Sequence, residues 1–311
     1  MARERLTYGV LGVGSIGRRH HKNLQALGQE VFYYDPIHAG PEVRDRVLKR
    51  CDAILVCTPT KRHAEDFMDA ANAGKHVFVE KPFGYDCPPL LDGFLRGTRS
   101  RFPKQVIATG FNLRFHDCVT QAKNKINTLG DILKAKFHVL QKTEKPTYLM
   151  DGIIRNWCSH ELDLAMYLIG LSLEVVDCYA THDAQGRDTI DATIKLKRGA
   201  LEVYIEADYN TDPQRRFFWI QGTKGTMYVD LEARELTIDY IGQPLPFVYK
   251  AEDSWDKNYM SEMMAFVRAC TAGVQSSIHT DDMIWPMASG EQGIHNLYAI
   301  MKARELARVN D

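Results

Sequence analysis

The sequence predicts an α/β Rossmann domain followed by an α+β domain built on a large, mostly antiparallel, open-faced sheet. Three observations carry this. Short apolar runs alternate with helical patterns over the first third of the chain. The loop Gly12-Val13-Gly14-Ser15-Ile16-Gly17 falls between the first run and the first helix. After about Cys118 the pattern changes to longer alternating strands joined by tight turns. At 311 residues two domains are expected, divided as 1–118 and 119–311.

In the first domain the strands are Leu6–Leu11, Val31–Tyr34, Ala53–Cys57, His76–Val79 and Val106–Thr109. Helices lie between them at Ile16–Leu27, stopped by Gly28, and His63–Ala73, stopped by Gly74, with glycine free to take the left-handed conformation that ends a helix. Only Pro36 to Asp52 separates the second strand from the next, which leaves room for one helix, so a further strand is missing or vestigial.

The second domain opens with a helix, Val119–Leu129, and continues with strands Ile132–Leu140, Val175–Ala180, Thr189–Lys197, Leu201–Asp208, Phe217–Gln221 and Met227–Leu231. Turns such as Lys197-Arg198-Gly199 and Thr223-Lys224-Gly225 make them antiparallel neighbours. From Asp281 to Val309, Met283, Met287, Ile294, Leu297, Tyr298, Met301 and Leu306 recur at helical spacing and predict a long terminal helix over one sheet face. The opposite face is then expected to meet a second subunit, as a homodimer or homotetramer.

Composition narrows the function. Hydrophobic residues are 45% and charged residues 25%, the values of an ordinary globular protein. Lys and Arg total 39 against 40 Asp and Glu, so no basic field exists for nucleic acid or anionic lipid. No apolar signal core follows the N-terminus and no run approaches the roughly 20 apolar residues of a membrane span, so a cytoplasmic protein is expected. Seven scattered cysteines, without C-x-x-C spacing, read as reduced thiols, and Cys57 as a small buried hydrophobe. Histidines 20, 21, 63, 76, 160 and 295 show no metal-ligand spacing, so no catalytic metal is expected.

The chemistry is carried by the carboxyl edge of the first sheet. Gly12, Gly14 and Gly17 supply a tight turn, a close approach for pyrophosphate and close helix packing, with Ser15 and Ile16 opening the helix whose N-terminus meets the phosphates. Asp35, eighteen residues after Gly17, ends the second strand, where a carboxylate accepts hydrogen bonds from ribose hydroxyls and repels a 2′-phosphate. NAD is therefore favoured over NADP, although an Asp-Pro turn is the plainer reading of Asp35-Pro36. Thr58-Pro59-Thr60 and Glu80-Lys81-Pro82 end the next two strands, and a lysine there can project its ammonium toward an oxygen whose charge changes during hydride transfer.

Taken together with Cys57-Thr58-Pro59 and His63, the block Gly74 to Pro82, Gly110-Phe111-Asn112-Leu113-Arg114-Phe115 and Ser159-His160-Glu161-Leu162-Asp163-Leu164, these motifs make the chain resemble the Gfo/Idh/MocA oxidoreductases, which include glucose-fructose oxidoreductase and inositol dehydrogenase. The resemblance spans nearly the whole chain, and Glu80-Lys81-Pro82 is its most specific part. It implies an NAD-dependent oxidoreductase acting on a secondary alcohol or ketone of a sugar, polyol or sugar derivative. It further implies that Lys81 contacts both cofactor and substrate, that His160 is the acid/base, and that Thr58, Pro59, His63 and Glu80 belong to the cofactor site. Imidazole titrates near neutral pH and suits the proton transfer that accompanies hydride loss.

One position departs from the family pattern: Asn156 stands four residues before His160, where an aspartate is common. Asparagine can orient His160 or a substrate hydroxyl but cannot ionise, and Asp163, three residues after His160, is a partial substitute or a helix-packing residue. Arg114, Arg155, Trp157 and Tyr148 complete the candidate substrate pocket, Trp157 by stacking on a sugar face and the arginines by binding a carboxylate or phosphate. Two alternatives stay open: a glycoside-cleaving enzyme that retains its NAD, and a cofactor-binding regulator without turnover.

Overall fold

The computed structural model describes residues 5–142, 151–182, 188–252, 254–275 and 286–309. The chain forms two compact units. One joins the residues up to Phe115 with Trp255–Leu297, and the other joins His116–Ser254 with the residues from Tyr298 onward. A single cut after residue 118 does not describe this, because residues 255–297 return to the first unit.

The first unit is a six-stranded sheet. Its first five strands in chain order are β1 (Thr7–Leu11), β2 (Glu30–Tyr34), β3 (Ala53–Val56), β4 (His76–Glu80) and β5 (Ile107–Gly110). These pair in parallel in the order β5-β4-β3-β1-β2, and every residue of β1, β3, β4 and β5 is buried, as strands covered on both faces must be. Helices α1 (Ser15–Ala26), α2 (Pro41–Arg50), α3 (Thr60–Asn72) and α4 (Pro88–Arg101) connect them. The stretch between β2 and β3 holds α2 and no strand, so β2 is the edge on that side. The chain leaves β1 for β2 on one side and continues to β3 on the other, and the carboxyl end of β1 is thereby the switch point where ligands bind in open α/β sheets.

In the second unit α5 (Asp117–Lys125) precedes strand β6 (Ile132–Leu140), α6 (Ser159–Ile169) and strands β7 (Glu174–His182), β8 (Asp188–Arg198), β9 (Leu201–Asp208), β10 (Arg215–Gly222), β11 (Gly225–Asp230), β12 (Glu235–Tyr240) and β13 (Phe247–Lys250). The helix expected at 119–129 is shorter, its last turn being the 3-10 segment Ile126–Leu129. Together with β15 (Ala307–Val309) the strands form a nine-stranded sheet, β13-β12-β11-β10-β6-β9-β8-β7-β15, antiparallel except for β6/β9 and β7/β15. Alternation sets its two faces. In β9, Leu201, Val203, Ile205 and Ala207 are buried, while Glu202, Tyr204, Glu206 and Asp208 are not. On the buried face Phe137 stacks on Phe218, α6 packs on β6 and β9, and α5 packs on β11 and β12.

The C-terminal segment corrects the expectation of one long helix over this sheet. Helix α7 (Trp255–Gln275) places Met263, Phe266, Ala269 and Cys270 in the first unit's core beside Tyr8 and Phe78. Strand β14 (Ala288–Ser289) then pairs antiparallel with β5, and the terminal helix α8 (Gly290–Leu306) begins only after it. Thr109 Oγ1 donates to the Ser289 carbonyl, and Arg99 pairs with Glu291, so the start of α8 is tied to the Rossmann sheet. Of the expected apolar positions Met287, Ile294 and Leu297 are buried, whereas Tyr298 is exposed and Met301 and Leu306 are half-buried, so the expected stripe does not continue as one buried face. Met283 lies outside the described residues.

Candidate active site

The glycine-rich loop is built as a cradle. Gly12 has φ +87°, and a Cβ there would lie 2.6 Å from the Cys57 carbonyl oxygen. A Cβ on Gly17 would strike the Gly12 carbonyl oxygen, so α1 lies against the turn only because Gly17 has no side chain. At Gly14 the direction of a Cβ is open, with no atom within 4 Å. Helix α1 starts at Ser15 with Gly14 as its N-cap, no side-chain cap and no acidic residue in its first turn. Its first amide groups and positive dipole end therefore suit an anion approaching over Gly14, which is what a pyrophosphate requires.

Asp35 is buried at the end of β2. Its Oδ2 accepts from the Val13 amide at 2.8 Å and its Oδ1 from the Ile37 amide at 3.0 Å. Burial opposes its ionisation, but the Val13 and Ile37 amides, with His38 and Arg18 nearby, outweigh that and hold its pKa below the ordinary carboxylate value. A carboxylate has about four acceptor positions, so Asp35 can brace the loop and still receive ribose hydroxyls.

Thr58 and Pro59 lead into α3. The Thr58 hydroxyl donates to Asp66, which Arg44 holds at 2.7 Å. His63 is 2% exposed, with Nδ1 2.8 Å from the Pro82 carbonyl oxygen and Nε2 2.7 Å from that of Thr58. Both ring nitrogens face backbone carbonyl oxygens inside the protein, and a neutral ring donates its single N–H to one of them, so His63 lies between the two loops. Glu80 is likewise turned inward. Its Oε1 lies 2.6 Å from His20 Nε2, and its Oε2 accepts from the Lys81 amide at 3.1 Å. Lys81 itself is partly exposed at the carboxyl edge of β4. Arg114, 1% exposed in the 3-10 turn Asn112–Phe115, donates to Gln292 at 2.9 Å and to the Pro286 carbonyl, tying the returning segment to that turn.

His20, Glu80 and Glu262 bring potential metal-ligand atoms within 4.8 Å of one another. The 2.6 Å His20–Glu80 separation is that of a charge-assisted hydrogen bond, whereas two ligands around a zinc ion with bonds of about 2.0–2.1 Å stand roughly 3.3 Å apart. His20 and Glu80 are a hydrogen-bonded pair, with Glu262 buried beside them. His20, Glu262 and Gln292 were not among the site residues expected from sequence; the signal available for His20 was its place one turn after Gly17 on α1.

In the second unit a π-helical turn, Ile154–Cys158, runs directly into α6. Such turns are rare and mark functional positions more often than chance. Arg155, Asn156 and Trp157 lie on it, all buried, while His160 in the first turn of α6 is partly exposed. Asn156 and His160 are four residues apart and share a side of the segment. The Arg155 guanidinium donates to the Asp151 carbonyl, and the Ser159 hydroxyl donates to the Asn156 carbonyl at 3.0 Å. Trp157, buried, packs edge-on against Tyr209, 4.5 Å between centroids. Glu161 is buried against Arg216 at 2.8 Å, and Asp163 is buried within α6. Tyr148 lies outside the described residues.

Residues 41–87 match the family described as "Oxidoreductase family, NAD-binding Rossmann fold", and residues 120–228 match the GFO/IDH/MocA C-terminal domain. The chain belongs to the Gfo/Idh/MocA oxidoreductase family. Myo-inositol 2-dehydrogenase of Thermotoga maritima is 26% identical over 88% of this chain and 91% of its own. UDP-N-acetylglucosamine 3-dehydrogenase of Acidithiobacillus ferrooxidans is 28% identical over 68% of this chain and 70% of its own. A solved structure of the latter enzyme superposes with a TM-score of 0.80 at 22% identity across 98% of both chains. An Azotobacter vinelandii inositol dehydrogenase homolog, solved with NADH and myo-inositol, gives 0.81 at 12% identity over 97% of this chain and 95% of that one.

As a Gfo/Idh/MocA oxidoreductase the chain uses NAD, and the cradle fits it: an open approach over Gly14, an uncapped helix start and an ionised Asp35. The family match begins at residue 41, after the glycine-rich loop, so for that loop the fit rests on these geometric features.

Proposed function

We propose that this oxidoreductase reversibly oxidises a secondary hydroxyl of a cyclic polyol or sugar derivative, with Lys81 and His160 as its catalytic side chains and Asn156 as the partner that orients His160. The observation that carries this reading is the placement of Lys81: a partly exposed lysine on the carboxyl edge of a Rossmann sheet, its backbone held by its own neighbour Glu80. The myo-inositol and UDP-N-acetylglucosamine named for its relatives supply the substrate class.

NAD supplies the hydride acceptor. The Lys81 ammonium stabilises negative charge building on the substrate oxygen as its proton leaves. His160 takes that hydroxyl proton, so a carbonyl forms while the carbon's hydride departs, and in reduction the same imidazole returns the proton. Asn156 holds the imidazole or a substrate hydroxyl by hydrogen bonding without contributing charge. In this reading Arg155, nearly fully buried, and Trp157, packed on Tyr209, shape the surroundings of His160 within the second unit.

The open face of the second unit's sheet is proposed to carry a homodimer or homotetramer contact. Tyr204, Phe217, Trp219 and Tyr228 lie on it among the ion pairs Lys136–Glu206 and Lys195–Glu202. Its aromatic residues are of the types enriched at protein interfaces. All seven cysteines are free thiols, which fits a reducing, cytoplasmic setting.

The test is a fluorescence titration with NADH and NADPH, followed by absorbance assays with NAD against inositols, hexoses, sugar acids and nucleotide sugars. NADH binding with turnover of a cyclic polyol or sugar derivative supports the reading. Binding without turnover across the panel points to a regulator, and NAD carried through purification to the retained-cofactor mechanism.

A further inference from the structure

We infer that His20 and His63 are positioning residues for Lys81, two buried histidines that fix the backbone on either side of the lysine and join it to the elements that cradle NAD. The inference rests on the role proposed above for Lys81.

A lysine ammonium sits on a flexible four-carbon stem, so its working position depends on where the backbone places its Cα. Here the backbone is held from both sides. Before Lys81, Glu80 spends one carboxylate oxygen on the Lys81 amide and the other on His20 Nε2. After it, the Pro82 carbonyl meets His63 Nδ1, and the other nitrogen of that ring reaches the Thr58 carbonyl. His20 belongs to α1, the helix that starts at the glycine-rich loop, and His63 belongs to α3, which follows Thr58-Pro59.

The bracket is stiff because it is dry. His20 is 0% exposed and wedged edge-on against Phe78 and Tyr259, with centroids at 5.3 and 6.2 Å. Glu262 from α7 lies in the same buried cluster. Hydrogen bonds to a buried carboxylate are stronger than neutral ones and costly to break. The arrangement thus sets the lysine in register with the pyrophosphate cradle, and a misplacement of about 1 Å in such a group can cost on the order of a hundredfold in rate.

The experiment uses the whole chain with NAD and the panel substrate it turns over, and combines kinetics with hydrogen exchange of the peptide spanning Glu80 to Phe83. His20→Leu keeps bulk and removes the donor to Glu80. His20→Gln restores an amide donor, and Glu80→Gln tests the carboxylate without loss of shape should His20→Leu not fold. Expected are a ten- to hundredfold fall in kcat for His20→Leu and Glu80→Gln, substrate KM and NADH affinity within about threefold of wild type, faster exchange at residues 80–83, and recovery by His20→Gln. Combined with Lys81→Ala, His20→Leu should add less than about threefold, because its effect passes through the lysine. Additive losses, or unchanged exchange at residues 80–83, would overturn the inference. Wild-type kcat in Lys81→Ala alone would instead overturn the role of Lys81, so the two failures are separable.

Discussion

The Asp35 carboxylate accepts the Val13 amide at 2.8 Å, so the residue proposed to meet the ribose also holds the loop proposed to meet the phosphates. Asp35→Ala removes both at once. NADH affinity should fall about ten- to hundredfold, and NADPH affinity less, since a 2′-phosphate gains from losing the carboxylate. Parallel fluorescence titrations check this, and equal losses for the two cofactors would contradict the selectivity assigned to Asp35.

Gly14 and Gly17 should separate cofactor binding from folding. Gly14→Ala meets no atom within 4 Å, so the melting temperature should stay within about 2 °C of wild type, while the added methyl obstructs the phosphate approach and weakens NADH at least about tenfold. Gly17→Ala drives a methyl into the Gly12 carbonyl and should lower both melting temperature and affinity. An NADH affinity unchanged in Gly14→Ala would place the pyrophosphate elsewhere.

Lys81→Ala and His160→Ala should each lower kcat by about 10²- to 10⁴-fold while NADH still binds, since neither carries the pyrophosphate. Asn156→Asp supplies a carboxylate one turn from His160 and should move the basic group seen in the kcat/KM profile to higher pH, as an adjacent anion favours the imidazolium. An unchanged profile would separate Asn156 from the proton transfer.

His76 gives a pH dependence of stability. Its Nδ1 accepts the Val106 amide at 3.0 Å, and burial, against a small opposing effect of Asp52, brings its pKa down to about 4. Between the ordinary histidine value and about 4 the unfolded chain binds a proton that the folded one refuses, so stability is lost as pH falls through that window. The loss approaches about 3 kcal/mol by pH 4. His76→Asn keeps an acceptor for Val106 without titrating, and urea unfolding at pH 7 and pH 4 should show a smaller drop than in wild type. Equal drops would mean that His76 does not titrate in this way.

The local patterns were legible where local physics decides them. The glycine spacing of residues 12–17, the alternation along β6 and β9, and the lysine ending β4 each follow from backbone sterics, from which face of a strand is buried, or from strand direction. Strands β12 and β13 were missed, β13 being four residues long with Val248 exposed on its outer face, and β14, at two residues, is too short for any periodicity to mark.

By itself the sequence determined a Rossmann domain with an NAD cradle, a second unit with an open-faced sheet, and the residue types that proton and hydride transfer require. Only the tertiary structure decided that residues 255–297 return to the first unit, and that Glu80 and His63, which motif order places at the cofactor, turn inward to His20 and to two backbone carbonyls. The reason is that sequence spacing carries dihedral preference and facing, whereas hydrophobic burial is non-directional and a buried polar group takes whichever partner the assembled core brings within about 3 Å.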